Sequence, residues 1–337
     1  MISKEAKKAL YKKKNVLGMG RGLLVRKGQI TGEGLVITVR KKLPLDQLKP
    51  QDVVPREVES MPTDVMEVGD ITFLEVAEKL VAIDRTKRYR PFKMGVSIGH
   101  KDITAGTPGF LAHHKGELVL VSCNHVLANV NKGKIGDAIL QPGPYDGGKL
   151  EDKVAELLKF VPIKTADCPY SRAVTHILNF LAQAVGSKFR FKYGIEVFGE
   201  MPENKVDCAI AKLRNNTADP ELLELGHIIS VDTVKPGESV MKSGRTTGVT
   251  EGLVRAVDYE CQVQIDKEGH IAYFVDQILI DHKPQKFSAP GDSGSAVVKE
   301  TKNGLSLIGL LFAGSDKVTI ANKIFNVIQL LEIEVVI

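Results

Sequence analysis

The sequence predicts a mainly β protein built from two antiparallel modules of about six strands each. Two series of short segments, apolar or alternating in polarity, run through residues 92–213 and 239–320, with Gly, Pro and Asp between their members. Short strands at such intervals are typical of barrels and sandwiches. Hydrophobic residues make up 43% and charged residues 26% of the chain, close to globular averages, so disordered and collagen-like chains are excluded.

The chain length of 337 residues fits two or three domains with a sizeable core. The formal net charge of +5 is too small a surplus to indicate a nucleic-acid-binding protein. Basic residues are concentrated at the N-terminus, where residues 1–28 contain nine of them and a single acid, Glu5. We interpret this terminus as a solvated, partly disordered tail, in preference to a site for nucleic acid, lipid or an acidic partner.

An α+β extension is predicted over residues 1–90, in front of the first module. Strand character appears at residues 15–26, 34–39 and 63–68, and residues 45–48 have the pattern of one helical turn. The polar and basic stretch 84–90, followed by Pro91, indicates the boundary.

The first module, residues 91–230, contains six predicted strands and a helical insertion at about 165–204. The strands fall at residues 92–98, 109–113, 117–122, 138–141, 154–161 and 206–213. Within the insertion, five apolar residues recur at spacings of three and four and predict an amphipathic helix over 171–188. They are Val174, Ile177, Leu178, Leu181 and Val185. We favour packing of this helix against a barrel over a lid above a cleft, and it is too short to cross a bilayer.

The second module, residues 231–337, has seven predicted strand segments and a C-terminal helix. The strands fall at residues 239–242, 252–258, 262–265, 273–279, 295–298, 306–312 and 317–320. Residues 321–331 have apolar residues at helical spacing. The loop 242–248 resembles a phosphate-binding loop in composition but lacks its spacing, so we interpret it as a hairpin between two strands.

The four cysteines, Cys123, Cys168, Cys208 and Cys261, form no CxxC pair and are too few for a disulfide framework. We expect small, buried, reduced thiols, with a Cys123–Cys208 disulfide as the alternative. Residues 1–15 lack the apolar stretch of a secretory signal. These features predict a cytoplasmic protein.

The strongest local signal is a turn containing Gly291-Asp292-Ser293-Gly294, which precedes an apolar strand. Glycines on both sides of a serine allow a tight backbone that can aim the N–H groups of Gly291 and Ser293 into one small pocket. Such a pocket would stabilise a developing oxyanion. The motif alone favours an ordinary β-turn, so its interpretation depends on its partners.

A serine hydroxyl is a weak nucleophile unless a histidine takes its proton and a carboxylate orients that histidine. His125 follows the apolar strand 117–122, and Asp207 begins the apolar strand 207–213, where an unpaired carboxylate would cost stability. The other seven histidines lack this setting and are interpreted as surface or loop residues. They are His100, His113, His114, His176, His227, His270 and His282.

The order His125, Asp207, Ser293, carried by Cys-Asn-His-Val, Val-Asp-Cys-Ala-Ile-Ala and Gly-Asp-Ser-Gly, resembles the chymotrypsin-like (trypsin-fold) serine peptidases. The likeness covers about residues 92–337 and is closer to the bacterial trypsin-like and HtrA branch, where Asn-His-Val follows a strand. The turn at residues 106–110, Gly-Thr-Pro-Gly-Phe, is similar to the turn before the histidine in that group. The 44 residues after Ser293 are too few for a PDZ domain.

The resemblance implies two six-stranded antiparallel β-barrels with an active site in the cleft between them. Ser293 would be the nucleophile, His125 the general base and acid, and Asp207 the orienting carboxylate. The N–H groups of Gly291 and Ser293 would form the oxyanion hole.

The resemblance also implies a substrate-binding surface. Phe287, six residues before the serine, would lie at the base of the primary specificity pocket, which predicts a small or apolar residue before the scissile bond. The strand 310–314, with Phe312, Ala313 and Gly314, would pair with an extended substrate.

The leading hypothesis is a serine endopeptidase that works through an acyl-enzyme. The alternative is a trypsin-like scaffold that binds a partner or processes itself, with little turnover. No sequence pattern with metal-ligand spacing or a dinucleotide motif is present, so we expect no cofactor or metal. The predicted partner is a protein or peptide substrate, without nucleic acid or a membrane span. For the extension 1–90, two hypotheses stay open: an inhibitory segment over the cleft, and a site that recruits a regulatory protein.

Overall fold

A computed structural model describes residues 2–73, 83–165, 169–187, 201–214, 217–266, 268–282 and 285–337. The described part is mainly β, as the sequence predicts, with 22 strands and four α-helices. Most of the strands belong to one sheet of 13 strands or another of seven. Among the helices of these residues, none is long and apolar enough to span a bilayer.

The N-terminal extension contains one α-helix and five strands. They are α1 (Lys4–Tyr11), β1 (Val16–Arg26), β2 (Gln29–Val39), β3 (Glu57–Val58), β4 (Met61–Glu67) and β5 (Thr72–Phe73). The predicted helical turn is a 3-10 turn at Leu45–Gln47. The extension is therefore α+β, and β3 and β5 are short additions to the three strands that the sequence predicts.

The helix α1 corrects the expectation of a disordered basic tail. The Ser3 side chain caps the helix by accepting a hydrogen bond from the N–H of Ala6 (3.2 Å). Leu10 is buried beneath the helix, and Lys7 forms an ion pair with Glu260 (2.7 Å). Lysines dominate the composition of this segment, although its spacing is that of an amphipathic helix with one buried face.

The first module contains nine strands and two helices. They are β6 (Phe92–Met94), β7 (Gly99–His100), β8 (Phe110–His114), β9 (Glu117–Ser122), α2 (Asn124–Leu127), β10 (Ala138–Leu140), β11 (Lys153–Phe160), α3 (Pro169–Ala184), β12 (Glu203–Asn204), β13 (Ala209–Leu213) and β14 (Ala218–Leu222). Each of the six predicted strands corresponds to at least one of these elements.

The insertion forms the predicted helix α3, but the expected packing against a barrel is wrong for its described side chains. Five apolar side chains of α3 are exposed: Val174, Ile177, Leu178, Phe180 and Leu181. A spacing of three and four residues reveals an apolar stripe on a helix and says nothing about what covers it. Within the insertion, residues 166–168, with Cys168, and residues 188–200 lie outside the described residues.

The second module contains eight strands and a helix. They are β15 (Ile228–Val231), β16 (Ser239–Gly244), β17 (Gly248–Gln264), β18 (Ile271–Asp281), β19 (Ala296–Thr301), β20 (Gly304–Gly314), β21 (Val318–Lys323), α4 (Ile324–Leu331) and β22 (Glu334–Val335). The segments predicted at 252–258 and 262–265 form one bulged strand, β17, whose register against β18 shifts near Tyr259. The C-terminal helix begins at Ile324 and not at 321, because β21 continues to Lys323.

The two large sheets are of unequal size, whereas the sequence predicts two modules of about six strands each. The seven-stranded sheet has the order β22-β8-β9-β13-β11-β10-β7. The 13-stranded sheet has the order β12-β18-β21-β20-β19-β16-β17-β1-β2-β4-β3, with β15 beside β20 and β5 beside both β17 and β20. The second sheet is larger because the N-terminal extension joins it, with Gly18 opposite Cys261 and Gly22 opposite Ala256.

Glycines in β1 allow this close junction. A methyl group at Gly22 would lie 2.2 Å from the Arg255 carbonyl oxygen, and one at Gly18 would lie 2.5 Å from the Tyr259 hydroxyl oxygen. The same hydroxyl lies 2.8 Å from the Thr38 hydroxyl in a buried hydrogen bond. The glycines of β1 therefore permit its pairing with β17, and the extension and the second module share one sheet.

The main apolar core includes buried residues of both modules, such as Phe110 and Phe312. A second core lies within the second module around Phe287 and Val254. A third core fills the space beneath α1 and contains Leu10 and Ile37. The main core fixes the two sheets relative to each other and so positions the residues of the candidate site.

Candidate active site

His125 and Asp207 are brought together by the pairing of β9 with β13. Ser122, at the end of β9, lies opposite Ala209, at the start of β13, so the residues just beyond each strand end are neighbours. Nδ1 of His125 lies 2.5 Å from Oδ2 of Asp207, and the backbone N–H of His125 donates to Oδ1 (3.2 Å). With its proton on Nδ1, the imidazole keeps Nε2 as a free base.

Asp207 is fully buried and its backbone is held by Asn322 of β21. The Asn322 side chain accepts a hydrogen bond from the Asp207 N–H (3.0 Å) and donates to the Asp207 carbonyl (3.1 Å). It also donates to the Leu310 carbonyl of β20 (3.1 Å). Asn322 therefore fixes the position of the aspartate relative to the second module.

Ser293 lies in the turn before β19 and is 1% exposed. Its hydroxyl donates to the Phe312 carbonyl at 3.4 Å, and its own carbonyl accepts from the Thr107 N–H at 2.8 Å. Nε2 of His125 is buried and has no hydrogen-bond partner among the described residues. The histidine and the aspartate are thus hydrogen-bonded, whereas the serine hydroxyl is turned toward β20.

Gly106 and Thr107 connect the serine turn to the histidine. A methyl group at Gly106 would lie 2.5 Å from the Val126 side chain and 3.0 Å from the Ser293 carbonyl oxygen. The Thr107 hydroxyl donates to the Gly291 carbonyl (2.8 Å). The turn at residues 106–110 thus contacts both halves of the site, and sequence composition gave only a weak indication of this.

The N–H groups of Gly291 and Ser293 donate no hydrogen bond to any atom of the described residues. Thr246 orients the first of them, because its hydroxyl donates to the Pro290 carbonyl (2.7 Å). The Pro290–Gly291 peptide bond is trans and planar, so the Gly291 N–H points away from Thr246. Gly291 has φ +99, and a Cβ there would lie 2.4 Å from the Thr246 hydroxyl oxygen. Two free amides in one turn can bind a negatively charged oxygen.

Asp292, between these two amides, is fully buried, and its carboxylate accepts four hydrogen bonds from backbone N–H groups and a hydroxyl. The donors are the N–H groups of Thr246 (2.8 Å), Thr247 (3.2 Å) and Ala289 (2.9 Å) and the hydroxyl of Thr247 (2.6 Å). Nζ of Lys242 lies 3.5 Å from Oδ2. These contacts fix the Asp292 side chain to the backbone of residues 246–247 on one side and to that of Ala289 on the other.

Lys242 supplies a fully buried ammonium group beside Asp292. It also donates to the Gly248 carbonyl (2.8 Å) and to the Thr247 hydroxyl. Burial lowers the pKa of Lys242 to about 8, and the charge of Asp292 opposes this shift. The loop 242–248 is the predicted hairpin, since Gly244 pairs with Gly248. Its role in holding the turn around Ser293 was missed, because a hairpin assignment does not show where its side chains point.

Phe73 of β5 covers the histidine. Its ring stacks on the His125 imidazole, with centroids 4.4 Å apart and planes at 17°. Its other ring contacts are edge contacts to Phe274 (6.5 Å) and Phe312 (6.4 Å). Phe73 itself lies opposite Ala313 of β20, and Thr72 lies opposite Gly314. The predicted substrate-binding residues Phe312, Ala313 and Gly314 therefore contact the chain's own N-terminal extension.

Phe287 is fully buried in the core of the second module. A methyl group at Gly252 would lie 2.7 Å from its ring, and the Phe287 carbonyl accepts from the Thr250 hydroxyl (2.6 Å). The ring contributes to packing, and its assignment to a specificity pocket stays a prediction.

The described cysteines Cys123, Cys208 and Cys261 are buried free thiols. Burial raises the pKa of Cys123, whose thiol donates to the Leu311 carbonyl (3.1 Å). Cys123, His125 and Asp207 each offer a potential metal-ligand atom within 4.8 Å of the others, and so do Asp266, Glu268 and His270. Sequence spacing did not reveal either group. In the first group, Nδ1 of His125 and Oδ2 of Asp207 are already in contact with each other at 2.5 Å, so the group is described as a histidine–aspartate pair.

The interpretation of the remaining histidines as surface or loop residues is wrong for His100 and His114, which are buried in β7 and β8, whereas His270 and His282 lie in loops next to β18 and are buried there. Nε2 of His100 lies 3.0 Å from Oδ2 of Asp137, and Nε2 of His282 lies 2.7 Å from the Thr319 hydroxyl. Partners such as these make burial of an imidazole tolerable, and they are distant in sequence.

Comparison with known proteins gives a partial family match. A family model described as the Nal1 C-terminal domain matches residues 216–324, which include Ser293 but neither His125 nor Asp207. No curated protein matches the chain significantly.

Similar solved structures are serine proteases at low identity. A glutamic acid-specific serine protease, described as using a histidine triad in substrate binding, has 16% identity and a TM-score of 0.44, covering 72% of this chain and 100% of its own. Thermobifida fusca protease A has 14% identity and a TM-score of 0.44, covering 73% and 98%. A chymotrypsin of Cellulomonas bogoriensis has 14% identity and a TM-score of 0.41, covering 73% and 99%.

Proposed function

We propose that this protein is a serine endopeptidase that hydrolyses peptide bonds through an acyl-enzyme intermediate. The observation that carries the proposal is the contact between Nδ1 of His125 and Oδ2 of the fully buried Asp207, at 2.5 Å. A buried carboxylate on Nδ1 favours the tautomer in which Nε2 accepts a proton, and it stabilises the imidazolium that then forms. Ser293, from the Gly-Asp-Ser-Gly turn, is the proposed nucleophile.

The proposed reaction uses each of these groups in turn. The Ser293 oxygen attacks the substrate carbonyl carbon as its proton passes to Nε2 of His125, and the carbonyl oxygen becomes an oxyanion beside the N–H groups of Gly291 and Ser293. The C–N bond then breaks, and the leaving amine takes the proton from Nε2. Water attacks the resulting ester with His125 again as base, which releases the acid and restores the serine.

The reaction requires the serine hydroxyl to change its hydrogen-bond partner. The Ser293 hydroxyl donates to the Phe312 carbonyl at 3.4 Å, and in the proposed reaction it donates to Nε2 of His125 instead. Catalytic hydrogen bonds are often long or poorly aligned in the absence of substrate. The orientation of the serine is therefore compatible with the proposal.

The proposed substrate is a polypeptide with a small or apolar residue before the scissile bond. The preference rests on the sequence position of Phe287, six residues before Ser293, where a carboxylate would select Lys or Arg; its ring is buried in the second core. A peptide library cleaved after basic residues would contradict this preference.

One observation favours a second candidate, a trypsin-like scaffold that binds a partner or processes itself with little turnover. Phe73 stacks on His125, and the serine hydroxyl bonds to β20. Such an arrangement is expected of a site to which a substrate rarely gains access.

Labelling with a fluorophosphonate, read by intact mass, tests the proposal. We expect a single adduct on the wild type that is lost in Ser293→Ala and in His125→Ala. The exposed residues Ser239 and His113 provide matched controls, and Ser239→Ala and His113→Ala should keep the adduct. Absence of an adduct from folded wild type and from folded Phe73→Ala would overturn the proposal, and the binding scaffold would then be the better explanation.

A further inference from the structure

The short strand β5 occupies the edge of β20 at which an extended substrate is predicted to pair. It runs antiparallel to β20, with Phe73 opposite Ala313 and Thr72 opposite Gly314. Recognition of a peptide by addition of a strand uses the same backbone groups. The extension therefore competes with any substrate that binds along residues 312–314.

Phe73 places a side chain directly on the catalytic candidate. Its ring lies 4.4 Å from the imidazole of His125 in a nearly parallel stack, and it is 7% exposed. Nε2 of His125, the atom that would receive the serine proton, is buried. A ligand that pairs with β20 and also covers the histidine blocks both binding and chemistry.

The strand is also held from its other side. The N–H of Gln264 in β17 donates to the Ile71 carbonyl (3.0 Å), and Ile71 is buried. The preceding strands β1, β2 and β4 belong to the same sheet as β17. A segment tethered in this way meets the cleft at a high effective concentration, so a free peptide competes poorly with it.

We propose that β5 is a built-in ligand of the active site, which keeps the chain self-inhibited until the strand is displaced. The inference rests on the proposed function and adds the identity of the inhibitor, a peptide segment of this chain. Thr72 supplies the backbone pairing and Phe73 supplies the side chain that covers His125. An activating partner would act by withdrawing this strand from β20.

The test compares wild type with Phe73→Ala, and with Phe325→Ala as a matched control on the exposed face of α4. The rates of fluorophosphonate labelling and of fluorescent casein hydrolysis are measured for each protein. We expect Phe73→Ala to raise both rates about tenfold or more and Phe325→Ala to leave them within twofold of wild type. Phe73→Leu, which keeps an apolar side chain, replaces the alanine variant where that variant does not fold.

A peptide added in trans gives a second measurement. The hexapeptide Val-Gly-Asp-Ile-Thr-Phe, residues 68–73, should inhibit Phe73→Ala, and a scrambled hexapeptide should not. Equal labelling and hydrolysis rates in wild type and Phe73→Ala, with Ser293 labelled in both and no inhibition by the hexapeptide, would overturn self-inhibition and leave the proposed function intact. Absence of labelling in all variants would overturn the proposed function and this inference together.

Discussion

Two fully buried aspartates belong to the candidate site, and they are stabilised by different kinds of partner. Asp207 faces the imidazole of His125, the proposed general base. Asp292 faces three backbone N–H groups, the Thr247 hydroxyl and the ammonium group of Lys242.

The carboxylate of Asp207 takes part in the proposed reaction, whereas the carboxylate of Asp292 maintains the geometry of the turn. Asp207 has a partner whose charge changes during the proposed reaction, so its stabilisation is greatest when the imidazolium forms. Asp292 has a cation and fixed dipoles that are present throughout, so it holds the backbone of Gly291 and Ser293 in one geometry. Substitutions at the two aspartates should therefore differ in their effects on stability and activity.

The largest expected effect is the loss of stability in Asp292→Asn. Removing this carboxylate leaves the buried ammonium group of Lys242 unpaired, which costs about 3–5 kcal/mol. Asp207→Asn removes a hydrogen bond to a group that can stay neutral, and it should cost about 1–2 kcal/mol while abolishing fluorophosphonate labelling. Free energies of unfolding from urea titrations measure both changes.

The double variant Lys242→Met/Asp292→Asn sharpens the same comparison. Because the unpaired ammonium group is gone, it should be more stable than the sum of the single substitutions predicts, by about 1–3 kcal/mol. Additive losses would show that the ion pair is not what fixes the turn. Equal stability losses in Asp292→Asn and Asp207→Asn would remove the distinction between the two aspartates.

An intermediate effect is expected in the pH dependence of stability. The pKa of Lys242 is lowered by burial from 10.5 to about 8, so the unfolded chain binds more protons than the folded chain between these values. Stability therefore rises with pH across this window by the contribution of this group. The free energy of unfolding of wild type should increase relative to Lys242→Met between pH 8 and 10.5, by about 1 kcal/mol or more. A constant difference between the two proteins would contradict the burial of a charged lysine.

The smallest expected effect is that of Thr246→Val. The variant loses the hydroxyl that holds the Pro290 carbonyl, which should cost about 1 kcal/mol of stability. The fluorophosphonate labelling rate should fall by about three- to tenfold, less than the loss of an oxyanion-hole donor itself would produce. Thr246→Ser keeps the hydroxyl and should label at nearly the wild-type rate. Equal slowing in both variants would exclude the hydroxyl as the cause.

The sequence was sufficient to predict the mainly β class and the contact between His125 and Asp207. Both residues lie at strand ends, and pairing of two apolar strands brings such ends together whatever the detailed geometry. The free amides of Gly291 and Ser293 follow from the glycines that flank the turn. These features depend on short stretches of sequence, where local pattern and structure agree.

Other parts of the site depend on residues that are far apart in sequence. Asn322 was assigned to a helix, and it lies in β21, where it reaches the Asp207 backbone. Phe73 belongs to a strand of two residues, too short for an alternating pattern to reveal. Lys242 looked like an ordinary hairpin residue, because its partner is separated from it by 50 positions. Only the assembled sheet brings these groups together.

The glycines of β1, which permit its pairing with β17, determine whether the two fragments stay together after the chain is cleaved. Since Gly18 and Gly22 allow β1 to pair with β17 over residues 18–22, the extension is held by a sheet as well as by its covalent link. A proteolytic nick just after Phe73 would therefore yield a two-chain protein that migrates as two bands under denaturing conditions and elutes as one particle under native conditions.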